Sequence, residues 1–128
     1  MTLILDSGGI SALTGQRARL AELRNQGLWP PQIPTIVLAE ALTGDARRDF
    51  HTNRLLRACQ IRDVDEHQSR EGARLRTATG RASKISAVDA VVAAFAGARP
   101  DPVVLTSDPR DLGALARQSA RPITIVPA

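Results

Sequence analysis

The sequence predicts an α/β domain built on a parallel sheet, and three observations carry that expectation. Short apolar or β-branched runs, TLIL at 2–5, IRDV at 61–64, PVVLT at 102–106 and PITIV at 122–126, alternate with longer stretches of helical apolar spacing. No Asn-Gly or similar hairpin signal joins neighbouring runs, so crossovers must link them. The 128 residues, 43% of them apolar, suffice for one core and are too few for two ordinary domains, so a single domain over 1–128 is expected.

The first strand, TLIL, stops at Asp6. In GGISALTGQRARLAELRNQG, apolar residues at Ile10, Leu13, Leu20 and Leu23 predict a short helix and a longer one, divided at Gly15 and stopped at Gly27. The adjacent prolines of LWPPQIP argue against a central strand there, leaving Gln32-Ile33 as an edge or strand start. Thr35 reads as the cap of a helix through IVLAEAL, whose apolar face Glu40 interrupts. An amphipathic pattern follows from Ala46 to Cys59 through Phe50, Leu55 and Leu56. Residues 66–82 are polar, arginine-rich and helical in pattern, and Ser86 to Ala98 forms an apolar helix with Asp89 in its first turn. After PVVLT a helix starts on Pro109, a residue tolerated in that first position, and PITIV supplies the last strand.

Seventeen basic residues, all but Lys84 arginine, face 13 acidic ones, which suits a polyanionic partner held by forked phosphate contacts. Trp29, Phe50 and Phe95 are the whole aromatic complement, too few to stack several bases, so phosphate and shape would dominate such binding. The lone Cys59 excludes an intrachain disulfide and reads as a small half-buried hydrophobe. No run reads as a signal peptide or is long enough to span a bilayer; a cytoplasmic setting without membrane association is expected.

Four carboxylates stand where the pattern calls for apolar or neutral residues: Asp6 and Asp108 at strand ends, Glu40 inside IVLAEAL and Asp89 inside ISAVDAVVAA. In parallel sheets, sites form beyond the carboxyl ends of strands, at which Asp6 and Asp108 both fall. Each of these two could equally cap the helix that follows, and Asp89 could be a first-turn acid favoured by the helix dipole. Glu40 and Asp89 among apolar neighbours are costly to bury unpaired. Four converging carboxylates repel, and a hard divalent cation such as Mg²⁺ or Mn²⁺ relieves that repulsion while sharing its coordination with phosphate oxygens. The pattern is nuclease-like.

LILDSGGISAL, PTIVLAEAL, ISAVDAVVAA and VLTSDPRDL together resemble the PIN-domain ribonucleases, and the size and motif order resemble the VapC toxins of bacterial toxin–antitoxin pairs. The resemblance implies a sheet ordered 3-2-1-4-5 with helices on both faces. It implies that Asp6, Glu40, Asp89 and Asp108 hold Mg²⁺ or Mn²⁺, with the hydroxyls of Ser7 and Thr106 in support and Asp111 peripheral. It also implies an endoribonuclease using a metal-activated water to leave a 5'-phosphate and a 3'-hydroxyl, a homodimer, and a VapB-type antitoxin that blocks the acids. Gly8 and Gly9 depart from the small polar residue many relatives carry, and the two prolines put the second strand in doubt.

Arg70, Arg74 and Arg81 share one helical stripe by their spacing and suit an RNA backbone beside the acids, although a solvated face is the plainer reading. His51 and His67 read as surface residues and Trp29 as a loop anchor. Two other classes compete: a catalytically inactive PIN-like module that binds RNA or antitoxin, and a phosphoryl-transfer domain. Gly8 occupies the place of the second acid that aspartate-nucleophile phosphatases need, and the one lysine, Lys84, does not follow a late strand as receiver domains require.

Overall fold

The computed structural model describes residues 1–128. Five parallel strands, β1 (Thr2–Leu5), β2 (Gln32–Pro34), β3 (Gln60–Arg62), β4 (Pro102–Thr106) and β5 (Thr124–Pro127), form one sheet in the order β3-β2-β1-β4-β5. The helices are α1 (Ser7–Leu13), α2 (Arg17–Asn25), α3 (Leu38–Ala41), α4 (Phe50–Leu56), α5 (Glu66–Ala78), α6 (Ala87–Gly97) and α7 (Pro109–Ala116). The chain winds outward from β1 to β3 and then returns to β4 beside β1. Because parallel crossovers are right-handed, this reversal puts the helices of the two halves on opposite faces. Their contacts divide in the same way: α1 packs on α3 and α4, whereas α6 packs on α5 and α7.

The apolar runs become the buried strands: Ile4, Leu5, Ile33, Val104 and Leu105 are all at most 3% exposed. From the helices, Ile10, Leu13, Phe95, Leu112 and Leu115 complete the core. Phe95 is the one large aromatic fully inside, and truncating such a ring costs about 3–5 kcal/mol.

Several boundaries differ from expectation. β2 does begin at Gln32 but lies inside the sheet, between β3 and β1, not at its edge. Pro30 and Pro31 precede the strand, so they remove no ladder donor within it, and the Pro31 carbonyl still accepts from Gln60 N at 2.8 Å. Thr35 is not a cap: residues 35–37 form a 3₁₀ turn preceded by Pro34, without a side-chain capping bond. The pattern from Ala46 to Cys59 yields helix only over Phe50–Leu56, and Phe50 is 54% exposed. Its first part is a turn drawn together by Asp49, whose carboxylate accepts from the backbone N–H groups of Thr43 and Gly44. β3 and β5 are each displaced by one or two residues from IRDV and PITIV. α5 ends at Ala78, before Gly80, whose φ of +71° a helix cannot continue through. Cys59 is half-buried, and burial pushes its thiol up to about 11, which leaves it unreactive.

Candidate metal centre

The site begins with a register. β1 and β4 are adjacent and aligned, Leu5 beside Leu105, so the next residues along the two strands, Asp6 and Thr106, emerge together at the carboxyl edge where the strand order reverses. Asp6 is 5% exposed and both its oxygens are engaged. Oδ1 accepts from Gly9 N at 2.7 Å, capping α1, and Oδ2 accepts from the Thr106 hydroxyl. That hydroxyl, fully buried, also accepts from Asp108 N at 2.9 Å. Asp108 in turn caps α7, its Oδ1 accepting from Asp111 N at 3.2 Å. Asp6 and Asp108 are thus helix caps that also stand at the carboxyl edge of the sheet, and the two readings of the sequence are not exclusive.

Asp89 arrives from α6, whose start is fixed by the Ser86 hydroxyl accepting from Asp89 N at 3.0 Å. A carboxylate oxygen of Asp89, one of Asp108 and one of Asp111 all lie within 4.8 Å of one another. Burial, followed by the charges of Asp108, Asp6 and Glu40, pushes Asp89 up from 3.8 to about 6. The other three sequence-selected acids therefore all bear on Asp89. Glu40 does so from the rim: it is exposed on α3, so the burial cost expected of it does not arise.

Three expectations need correction. Asp111 is not peripheral but belongs to the closest carboxylate group. Its spacing from Asp108 was the available signal, because i and i+3 are neighbours in the first turn of a helix. The Ser7 hydroxyl makes no hydrogen bond to the acids, and Thr106 alone supports them. The arginine stripe does not exist: α5 stops before Arg81, Arg70 pairs with Glu66 at 2.7 Å, and Arg74 pairs with Glu71 on its own helix. Arg81 instead turns to the acids, its Nη2 lying 3.3 Å from Asp111 Oδ1.

Gly8 and Gly9 acquire a steric reason. A Cβ on Gly9 would lie 2.3 Å from the Leu105 carbonyl oxygen, and one on Gly8 would lie 1.9 Å from Ser107 Oγ. Their bare backbone lets α1 start flush against the end of β4, which brings the Asp6 carboxylate beside Thr106.

Hard oxygen donors, crowded at a strand edge and partly withdrawn from water, suit Mg²⁺ or Mn²⁺ better than a soft thiophilic ion. The family profile described as PIN domain matches residues 10–118. The chain belongs to the PIN-domain family. No curated protein sequence matches this PIN domain. Among solved structures, a chain of the DNA-bound VapBC complex from Salmonella typhimurium is similar, with 20% identity, coverage of 99% of this chain and 98% of that one, and a TM-score of 0.72. VapBC2 from Rickettsia felis bound to a promoter fragment aligns over 100% and 99% of the two chains at 16% identity and a TM-score of 0.73. FitAB bound to a DNA fragment aligns over 98% and 94% at 20% identity, with a TM-score of 0.64. At such identities the likeness is one of fold.

Proposed function

We propose that this PIN domain is a divalent-cation-dependent endoribonuclease that serves as the toxin of a toxin–antitoxin pair. The observation that carries the reading is the convergence of Asp89, Asp108 and Asp111, whose carboxylate oxygens lie within 4.8 Å of one another, where burial and the neighbouring acids push Asp89 upward. Perturbed carboxylates gathered in this way mark a site that a cation completes. Asp6, Asp89, Asp108 and Asp111 would hold Mg²⁺ or Mn²⁺, with Glu40 at the rim. Such a cation lowers the pKa of water and offsets the charge that develops on a phosphodiester.

The protein's own groups supply orientation and proton transfer. The donors from Gly9 and Thr106 fix both Asp6 oxygens, so this carboxylate enters the reaction already aligned. Glu40, exposed yet near enough for its charge to bear on Asp89, would accept a proton from an incoming water and orient it toward phosphorus. Cleavage then leaves a 5'-phosphate and a 3'-hydroxyl. A VapB-type antitoxin would silence the site, an arginine of the partner being the natural complement to converging carboxylates. The complexes named VapBC and FitAB among the structural neighbours support a paired partner, and a homodimer in the cytoplasm completes the reading. No helix is long and apolar enough to cross a membrane.

The test is to induce the wild-type chain and Asp6→Ala separately in a bacterial host and map new RNA 5'-phosphate ends. Ends that appear with wild type and vanish with the variant are expected. Ends that persist with Asp6→Ala, or none with soluble wild type, would overturn the reading.

A further inference from the structure

Away from the acids lies a cleft of about 690 Å³ between α2 and α4 that the proposed chemistry does not use. Arg17, Leu20 and Arg24 follow one another at i, i+3 and i+7 along one face of α2, and Arg54 and Leu55 come from α4. The leucines belong to the apolar lining, and Trp29 lines the cleft with the Arg24 guanidinium 4.8 Å from its ring centroid. Arg70, Arg74 and Arg81 each pair with a carboxylate, whereas Arg17, Arg24 and Arg54 pair with none, and no acidic residue lines the cleft. Three unpaired guanidinium groups therefore line one concave surface with no acid among them.

We infer that this cleft is a second contact site for single-stranded RNA, gripping its backbone phosphates with Arg17 and Arg54 and receiving a base against the Arg24–Trp29 pair. This rests on the ribonuclease reading for the identity of the strand. A cation held by the acids would neutralise only the phosphate being cut, so the rest of the strand needs cationic anchorage elsewhere. The cleft reaches Gly15, just beyond the far end of α1, whose other end is capped by Asp6. Seven helical residues separate them, roughly 10 Å at 1.5 Å per residue, a span that a few nucleotides can bridge. Guanidinium forks match phosphate oxygens in pairs, and a planar cation over an indole presents a surface that any base can stack on. An acidic amphipathic peptide is the competing occupant; it would use the same charges but gain nothing from the stacked pair.

Trp29 is the only tryptophan, so its fluorescence reports on this cleft alone. The experiment titrates the full chain, in excess chelator to prevent cleavage, with a single-stranded oligo(A) RNA of about 12 nucleotides. A saturable change in Trp29 emission is expected, with affinity falling as salt rises. The double variant Arg17→Gln/Arg54→Gln, with unchanged circular dichroism and melting temperature, should bind about tenfold more weakly. Its log–log salt slope should be shallower by about 1.4, two phosphates at 0.7 each. Silent Trp29 emission, or an unchanged affinity in the double variant, overturns the proposal. So does poly-glutamate of equal length binding the cleft more tightly than the RNA. A parallel cleavage assay in Mn²⁺ separates the two claims. Cleavage with silent Trp29 removes only the cleft; an RNA response without cleavage upholds the cleft and removes the nuclease.

Discussion

The buried Thr106 hydroxyl donates to the Asp6 carboxylate across the β1–β4 junction while accepting from the N–H of Asp108. One side chain thereby ties two acids, from strands a hundred residues apart in sequence, into a fixed relation. The carboxylates are consequently held by the sheet and not by mobile loops, a placement that keeps a site preorganised.

Replacing Thr106 with valine keeps the shape and removes both bonds. Asp6 Oδ2 and Asp108 N would then lack partners in a buried setting, and a loss of about 2–3 kcal/mol in urea unfolding is expected. Thr106→Ser should recover most of it, and activity should follow the same order.

Gly9→Ala sets two effects against each other. Alanine favours a helix by up to about 1 kcal/mol, yet its Cβ would meet a backbone carbonyl that cannot swing aside. The clash should win, giving a net destabilisation of about 1–3 kcal/mol by chemical denaturation. Gly8→Ala should cost a comparable amount, because its Cβ would meet Ser107 Cβ at 2.5 Å and the Ser107 backbone nitrogen at 2.9 Å as well as the hydroxyl.

Asp89 gives the cation-free protein a pH signature. Its folded value of about 6 exceeds the ordinary 3.8, chiefly through burial and then through Asp108, Asp6 and Glu40. The folded state thus holds this proton more tightly than the unfolded chain, so stability from Asp89 is full below pH 3.8 and is lost as pH rises through about 6. With chelator present, the melting temperature should be higher at pH 5 than at pH 7.5, by an amount equivalent to about 1 kcal/mol after allowance for partial exposure. Asp89→Asn should flatten the difference.

Arg81→Ala removes the one cation paired with the acids, at Asp111. Calorimetric titration should show Mn²⁺ binding about two- to fivefold more tightly, as expected for loss of a competing charge worth up to about 1 kcal/mol. Weaker binding would mean that Arg81 acts instead by orienting Asp111.

Much of this was legible in the sequence, for identifiable reasons. β4 and α6 were read closely because PVVLT and ISAVDAVVAA are bounded by their own signals, a proline start, a serine cap and an apolar interior. The strand order and the acid quartet came from resemblance to PIN domains, since four short motifs are weak singly and specific in register. The misreadings were tertiary or local in origin. β2 lies inside the sheet because Pro30 and Pro31 fall just before it and Pro34 is only its last residue, a matter of one position. Phe50 suited a helical apolar pattern but stays more than half exposed. Arg81 fitted a stripe only if α5 ran on through Gly80, and the turn there sends it to Asp111 instead. The α2–α4 cleft was invisible, because it joins residues whose spacing across two helices no local pattern encodes.

The central claim is that these carboxylates, with a divalent cation, cut RNA. Purified chain and Asp89→Asn should be incubated with bulk cellular RNA in Mn²⁺ and in chelator, and the new ends counted. Cleavage by wild type that chelator abolishes, and that Asp89→Asn lowers at least about a hundredfold, is the expected result. Cleavage that survives chelator, or that Asp89→Asn performs as well as wild type, would contradict the account.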